Sequence, residues 1–245
     1  MTPQSFWEFF RTLETKDWIT IGVSSAALLV SALGYIQKSV EGKLALRKQL
    51  TELLEKLADL NTEIAKFKAL DSKGKADEYP PNYIGLQGDQ RRFLVRQAEF
   101  VSRRIKKLVS PYEYLLIAAA FDGVDDIYQA EYFYKRAIDT ATPPLDKGIA
   151  IRSYARFLLG RARLEEGRKE YSLALDTLKG GSDHLRQTRG DTYERWADQE
   201  REWGNMEESS RLLREALREA DTIDHPGRKI FQTTRLNERL RLLAE

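Results

Sequence analysis

The chain has 245 residues, with 40 basic and 38 acidic side chains, two histidines and no cysteine. A formal charge of +2 argues against nucleic-acid binding over the whole surface, and the lack of cysteine excludes disulfides, zinc ribbons, iron–sulfur sites and thiol nucleophiles. With 15 glycines, 7 prolines and 32% charged residues, the composition predicts few turns and long solvated helices. Each of Pro3, Pro80, Pro81, Pro111, Pro143, Pro144 and Pro226 falls where a periodic segment begins or ends. No stretch alternates apolar and polar residues beside a tight-turn dipeptide, so the chain reads as all-α.

Residues 1–17 form an N-terminal tail in which Phe6, Trp7, Phe9, Phe10 and Leu13 suit an interfacial helix. Between Asp17 and Lys38 lie twenty residues without a charge, WITIGVSSAALLVSALGYIQ, with Trp18 and Tyr35 near the ends. A helix of that length covers about 30 Å, the thickness of bilayer hydrocarbon. A single transmembrane helix over 18–37 is the expectation. A buried core helix, or a signal peptide cleaved near Ala32-Leu33-Gly34, stays open. Lys38, Lys43, Arg47 and Lys48 outnumber Arg11 and Lys16, which places the C-terminal bulk in the cytoplasm.

Leu46, Leu50, Leu53, Leu57, Leu60, Ile64 and Phe67 follow the 4,3 spacing of a heptad seam. Residues 38–70 thus read as a long amphipathic, coiled-coil-like stalk. The seam would join a homo-oligomer, or pack on its own chain, as Leu44, Leu54 and Leu70 widen the stripe. A linker over 71–89 follows, with Gly74, Pro80, Pro81, Gly85 and Gly88. A helix from Gln90 to Val109, capped by Asp89, carries a basic patch of Arg91, Arg92, Arg96, Arg103, Arg104, Lys106 and Lys107. That patch fits anionic lipid, RNA or an acidic partner, or is simply a solvated face.

Within 90–245 one block recurs. It runs Tyr114-x2-Ile117-Ala118-x2-Phe121, then Ala130-x3-Tyr134-x2-Ala137, opened by the capping box Ser110-x2-Glu113 with Pro111 at the first helical position. A shift of 37 gives Ile151, Tyr154, Ala155 and Leu158, then Gly167, Tyr171 and Ala174. A further 42 gives Tyr193, Trp196 and Ala197, then Ser209, Leu213 and Ala216, with Glu200 at an aromatic position. These blocks resemble the tetratricopeptide repeat, one good copy and two degenerate ones. The resemblance implies a short right-handed α-solenoid of helical hairpins, closed by a terminal helix over 228–245. It also implies that the first helix of each pair lines a concave partner-binding groove. By position that groove would hold Tyr112, Leu115, Ala119 and Asp122, then Arg152, Arg156 and Arg163, then Glu194, Asp198 and Arg201.

No phosphate-binding loop, nucleophile elbow, zinc-protease or calcium motif occurs. Asp125-Asp126, Glu207-Glu208, His184 and His225 read as capping and turn residues. No cofactor, metal or catalytic residue is expected, and the chain reads as a non-enzyme. The reading is a single-pass membrane scaffold that presents a groove to a protein or peptide partner. Three alternatives stay open: a periplasm-facing ancillary factor of a translocon or envelope complex, a self-assembling structural protein, and a tethered RNA or anionic-lipid binder through 91–107. Nucleic acid is the least favoured partner.

Overall fold

The structure, a computed structural model, describes residues 15–72, 79–80 and 82–244, and of 15–36, 39 and 244 the backbone alone. The described residues form nine helices and no strand: α1 Thr15–Asp71, α2 Tyr83–Arg104, α3 Pro111–Asp122, α4 Ile127–Thr140, α5 Leu145–Gly160, α6 Leu164–Thr177, α7 Asp183–Glu202, α8 Met206–Asp221 and α9 Pro226–Ala244. The fold class is all-α. The chain divides into two compact units, the first ending at Thr51 and the second running from Glu52.

The backbone of the uncharged segment and of the heptad segment is one helix, α1. The side chains of the expected span before Gln37, and the tail through residue 14, lie outside the described residues. Among those described, no helix is long and apolar enough to cross a membrane. The heptad seam is buried within the single chain: Leu53, Leu57 and Leu60 are at most 5% exposed, and Leu50 and Leu54 are buried too. Ile64 and Phe67 are half-buried, as is Leu46. The Phe67 ring meets Tyr79 and Tyr83, each at 5.1 Å, and Asn61 accepts a 2.6 Å hydrogen bond from Arg91 of α2. Within the second unit, Leu53, Leu57 and Leu60 are covered by side chains of their own chain.

The linker is shorter than its glycines suggested. Helix α2 begins at Tyr83, after Asn82 in the left-handed region at φ 66°, and takes in Gly85, Gly88 and Asp89. A helical glycine costs only about 1 kcal/mol, which packing overrides. The helix ends at Arg104 rather than Val109, and a turn closes where the Leu108 amide donates to the Ile105 carbonyl at 2.7 Å.

From Pro111 the chain forms three helical hairpins, α3–α4, α5–α6 and α7–α8. The Ser110 hydroxyl accepts from the Glu113 amide and the Glu113 carboxylate accepts from the Ser110 amide, the expected capping box. The three hairpin turns have one geometry. Asp125, Ala162 and Gly204 are left-handed at φ 58°, 61° and 79°. Each is followed by the helix N-cap, Asp126, Arg163 or Asn205, at φ −87°, −87° and −86°. The N-cap amide in each case donates back across the turn, to Phe121, Leu158 and Glu200 respectively, at 2.9–3.0 Å. These positions recur at the shifts of 37 and 42 read from the side chains.

Short turns bring each helix pair into antiparallel contact. At the repeat positions Tyr114, Ile117, Ala118, Phe121, Ala130, Tyr134 and Ala137 are buried; the second hairpin repeats the pattern, as does the third apart from half-buried Tyr193. Gly167 shows why a small residue is required: a Cβ there would lie 1.8 Å from Leu159 Cδ1 and 3.1 Å from the Ala155 carbonyl oxygen. The last hairpin shares a core with α9, through Trp196, Ala197, Leu212, Leu213, Ala216 and Leu236.

Two substitutions test this account. Gly167→Ala should cost roughly 1–3 kcal/mol in chemical denaturation by overpacking α5 against α6. Ala162→Gly should raise stability by up to about 1 kcal/mol, because the left-handed turn position penalises a Cβ.

Candidate functional site

The first helices of the three hairpins, α3, α5 and α7, together line a cavity of about 910 Å³. One wall is Tyr112, Leu115, Leu116, Ala119 and Asp122 of α3. Arg152, Ser153, Arg156, Phe157 and Gly160 of α5 form the floor, and Arg195, Gln199 and Glu202 of α7 the far side. Asn61, Tyr134 and Arg161 complete it. Tyr112 is fixed at the rim by donating a 2.9 Å hydrogen bond to Asp146.

Arg161 is neutralised in place. It donates to Asp122 Oδ1 at 2.6 and 3.0 Å and to Asp125 Oδ1 at 2.8 Å, joining the first hairpin to the second. Glu202 accepts from Gln199 at 2.6 Å. Arg152, Arg156 and Arg195 differ, since none has a carboxylate within ion-pair distance among the described residues. Arg152 donates only to the Thr192 hydroxyl, at a long 3.4 Å. Burial, and then the positive charge of Arg195, hold its guanidinium below the usual arginine range, while Asp191 attracts it from farther off. The Tyr171 hydroxyl, within the field of all three arginines, is buried without a hydrogen-bond partner among the described residues. Burial pushes that phenol up, and the fields of Arg156, Arg152 and Arg195 pull it the other way. An unpaired guanidinium cluster close to a buried hydroxyl is an arrangement that favours an anion.

Four of the groove residues expected from sequence, Tyr112, Asp122, Arg152 and Arg156, are brought together here, with Leu115 and Ala119 between them. The other four are elsewhere. Helix α5 ends at Gly160, so the face bearing Arg152 and Arg156 does not continue to Arg163. Arg163 instead binds Glu131 at 2.8 Å and Glu166 at 2.6 and 2.8 Å. Glu194 and Asp198 face the terminal helix, where Arg235 and Arg239 pair with them. Arg201 is 3.5 Å from Asp198. On α7 the groove face is Arg195, Gln199 and Glu202, each one residue beyond the expected Glu194, Asp198 and Arg201. That offset is about 100° of helix rotation. No family model, no curated protein and no solved structure matches the chain.

The basic patch of 91–107 is not one surface. Arg91 turns inward to Asn61 and the Gly123 carbonyl, Arg92 pairs with Asp89, and Arg96 and Arg103 share Glu99. Arg96 also reaches Asp126. Arg104, Lys106 and Lys107 have no carboxylate partner among the described residues.

His225 Nδ1 accepts from the Arg228 amide, while Asp183 accepts from the amides of Asp224 and His225, which are turn and cap roles. Asp126 caps α4. Among the described residues no group of three or more acidic or histidine side chains is placed to hold a metal ion.

Glu131, on α4, ties the first hairpin to the second by accepting from Tyr154 at 2.7 Å, Arg163 at 2.8 Å and Lys135 at 2.8 Å. Burial opposes its ionisation, but these three donors prevail and lower it from 4.5 to about 2. Its folded pKa lies below the unfolded one, so its contribution to stability is complete above about pH 4.5. It is lost as pH falls through about 2. Glu131→Gln should lower stability at pH 7 and flatten its decline between pH 4.5 and 2 in urea titrations. An unchanged acid slope would show that another carboxylate sets it.

Proposed function

We propose that this chain is a membrane-anchored, tetratricopeptide-like scaffold whose groove holds an acidic segment of a partner protein. The observation that carries the reading is the set of Arg152, Arg156 and Arg195, three cations facing one cavity without carboxylate partners. Neighbouring Arg161, Arg163, Arg168 and Arg189 are each paired. Leaving the part-buried Arg152 guanidinium unpaired is unfavourable, so a partner that supplies carboxylates regains both the Coulomb attraction and the missing hydrogen bonds. Apolar Leu115, Leu116 and Phe157 beside them would accept the aliphatic parts of such a segment. The repeated turn geometry and the small residues at the repeat positions support the family likeness. The uncharged run at 18–37 supports the anchor, and the basic residues after it support a cytoplasmic C-terminal unit. In this arrangement the chain does no chemistry. Its effect is to hold a partner at the membrane and raise the local concentration of whatever that partner meets there.

The test is fluorescence anisotropy with the full chain in lipid nanodiscs and a short labelled peptide rich in Asp and Glu. A Lys-for-acid version of the peptide is the control. The acidic peptide should bind and the control should not, and Arg152→Ala or Arg156→Ala should each weaken binding about tenfold or more. Equal binding of the acidic peptide to wild type and to the Arg152→Glu/Arg156→Glu variant would end the groove assignment. Recovery of the full-length chain in the alkaline-soluble fraction would end the anchor.

A further inference from the structure

We propose that the outward face of α2 docks on the headgroup region of an anionic bilayer, placing the helical unit against the lipid surface. Leu86, Phe93 and Phe100 follow one another at seven-residue steps, so they form a single ridge, within about 40° of one line along the helix. They are 56%, 64% and 55% exposed. The opposite face of α2, with Leu94, Val95, Ala98 and Val101, is already buried in the fold, so the ridge is not needed to hold the helix in place. Scattered exposed apolar residues are ordinary, whereas three in line with Leu108 beyond them form a patch.

The charges beside the ridge identify what covers it. Arg104 lies one turn past Phe100 on the same line, its guanidinium 4.0 Å from the Phe100 ring centroid. Lys106 and Lys107 stand in the turn that follows. Like these three, Arg91 has no carboxylate partner among the described residues, but it turns inward to Asn61 and the Gly123 carbonyl, so Arg104, Lys106 and Lys107 are the ones left without a partner on the surface. Arg96 and Arg103 flank the ridge and share the carboxylate of Glu99. From Asp89 to Lys107 the sequence holds seven basic and two acidic residues, a net of +5 in a chain whose total is +2. An apolar ridge bordered by unpaired cations matches the boundary between acyl chains and lipid phosphates. Rings and leucines enter the headgroup layer there, and arginine and lysine meet the phosphates. Bases of a nucleic acid could stack on Phe93 and Phe100, but Leu86 and Leu108 offer no stacking plane. No groove residue takes part, so docking stands apart from the peptide-binding reading, and it does not require that 18–37 span the bilayer.

The absence of cysteine makes the test direct. Phe93→Cys and Phe100→Cys can each carry one environment-sensitive fluorophore on the full chain. Leu173→Cys on α6, 48% exposed, serves as the control. With vesicles of phosphatidylcholine plus phosphatidylserine, the labels at 93 and 100 should shift to the blue and be quenched by brominated lipid, and the label at 173 should not. Pure phosphatidylcholine, or high salt, should abolish most of the difference. Replacing Arg104, Lys106 and Lys107 by Gln should weaken vesicle binding about fivefold per charge while leaving acidic-peptide binding unchanged.

Emission at 93 and 100 that is indifferent to phosphatidylserine overturns the proposal, as does equal quenching at 173, which would report a chain held at the membrane but undocked. Shielding that appears without lipid and grows with protein concentration would assign the ridge to a second copy. A blue shift produced by single-stranded RNA and not by vesicles would assign it to nucleic acid. Circular dichroism of each variant checks that the helices are retained, and Phe93→Ser, which removes the ridge without adding a label, should lower vesicle affinity in the same lipids.

Discussion

The close approach of paired helices at small residues is the constraint on which the rest of this architecture depends. Where Gly167 lies against Leu159 and the Ala155 carbonyl, there is no room for even a methyl group. Ala118, Ala137, Ala155, Ala174, Ala197 and Ala216 hold comparable positions and are fully buried. Interiors at crystalline density tolerate few voids, so these small residues fix how closely each pair packs and which residues opposite must be large. Tyr171 stacking on Trp196 at 5.3 Å is one such filling. The shared left-handed turn keeps each second helix in the same relation to its first. That repetition brings α3, α5 and α7 side by side, and the cavity lies along their common face.

Charge pairing is the second level of organisation, and it explains how a chain with 32% charged residues packs a compact unit. The most telling case is Glu200, fully buried where the repeat pattern calls for an aromatic ring. It receives two 2.8 Å hydrogen bonds from Arg168, one of 2.9 Å from Trp196 Nε1 and one of 3.1 Å from Asn205. The Arg168 donors hold its carboxyl below the ordinary range against the opposing effect of burial. Arg168 comes from α6 and Glu200 from α7, so a polar pair does between the second and third hairpins what a ring would do by packing. Such pairs contribute little net stability compared with apolar substitutes, but removing one partner is costly, and that cost enforces a single register.

Much of this could be read from the residues alone. The capping box at Ser110 and the spacing of Tyr114, Ile117, Ala118 and Phe121 are local signals, and the structure realises them as read. The heptad leucines were legible as a buried stripe, but whether the stripe faces its own chain depends on contacts such as Phe67 with Tyr83, between residues on two different helices. Sequence spacing also could not give the rotation of α7. Helix α9 supplies Arg235 and Arg239 to Glu194 and Asp198, and this draws those acids toward the end of the array and leaves Arg195 to the groove. Arg163 was misplaced for a simpler reason: the helix that would have carried it stops three residues earlier. Gly85 and Gly88 looked like linker residues, yet both lie within α2, where a glycine costs only about 1 kcal/mol.

A general inference follows for chains whose net charge is near zero. The total says little, since most charges cancel within a few ångströms of one another. What distinguishes surfaces is the remainder after pairing. Of the arginines around the cavity, Arg161 is consumed by Asp122 and Asp125, and the same pairing welds the first hairpin to the second. Arg152 and Arg156 lie on the face of α5 that this weld leaves uncovered, and Arg195 faces them from α7 at a distance where like charges repel. On α2 and the turn after it, Asn61 and the Gly123 carbonyl occupy Arg91, carboxylates occupy Arg92, Arg96 and Arg103, and Arg104, Lys106 and Lys107 remain near an apolar ridge. One remainder lines a cavity close to a buried hydroxyl. The other is open and borders leucine and phenylalanine. A concave site suits a discrete carboxylate, which can be reached by several donors at once, while an open apolar border suits an extended anionic surface. The difference in their surroundings, rather than in the cations themselves, is what separates the two proposals.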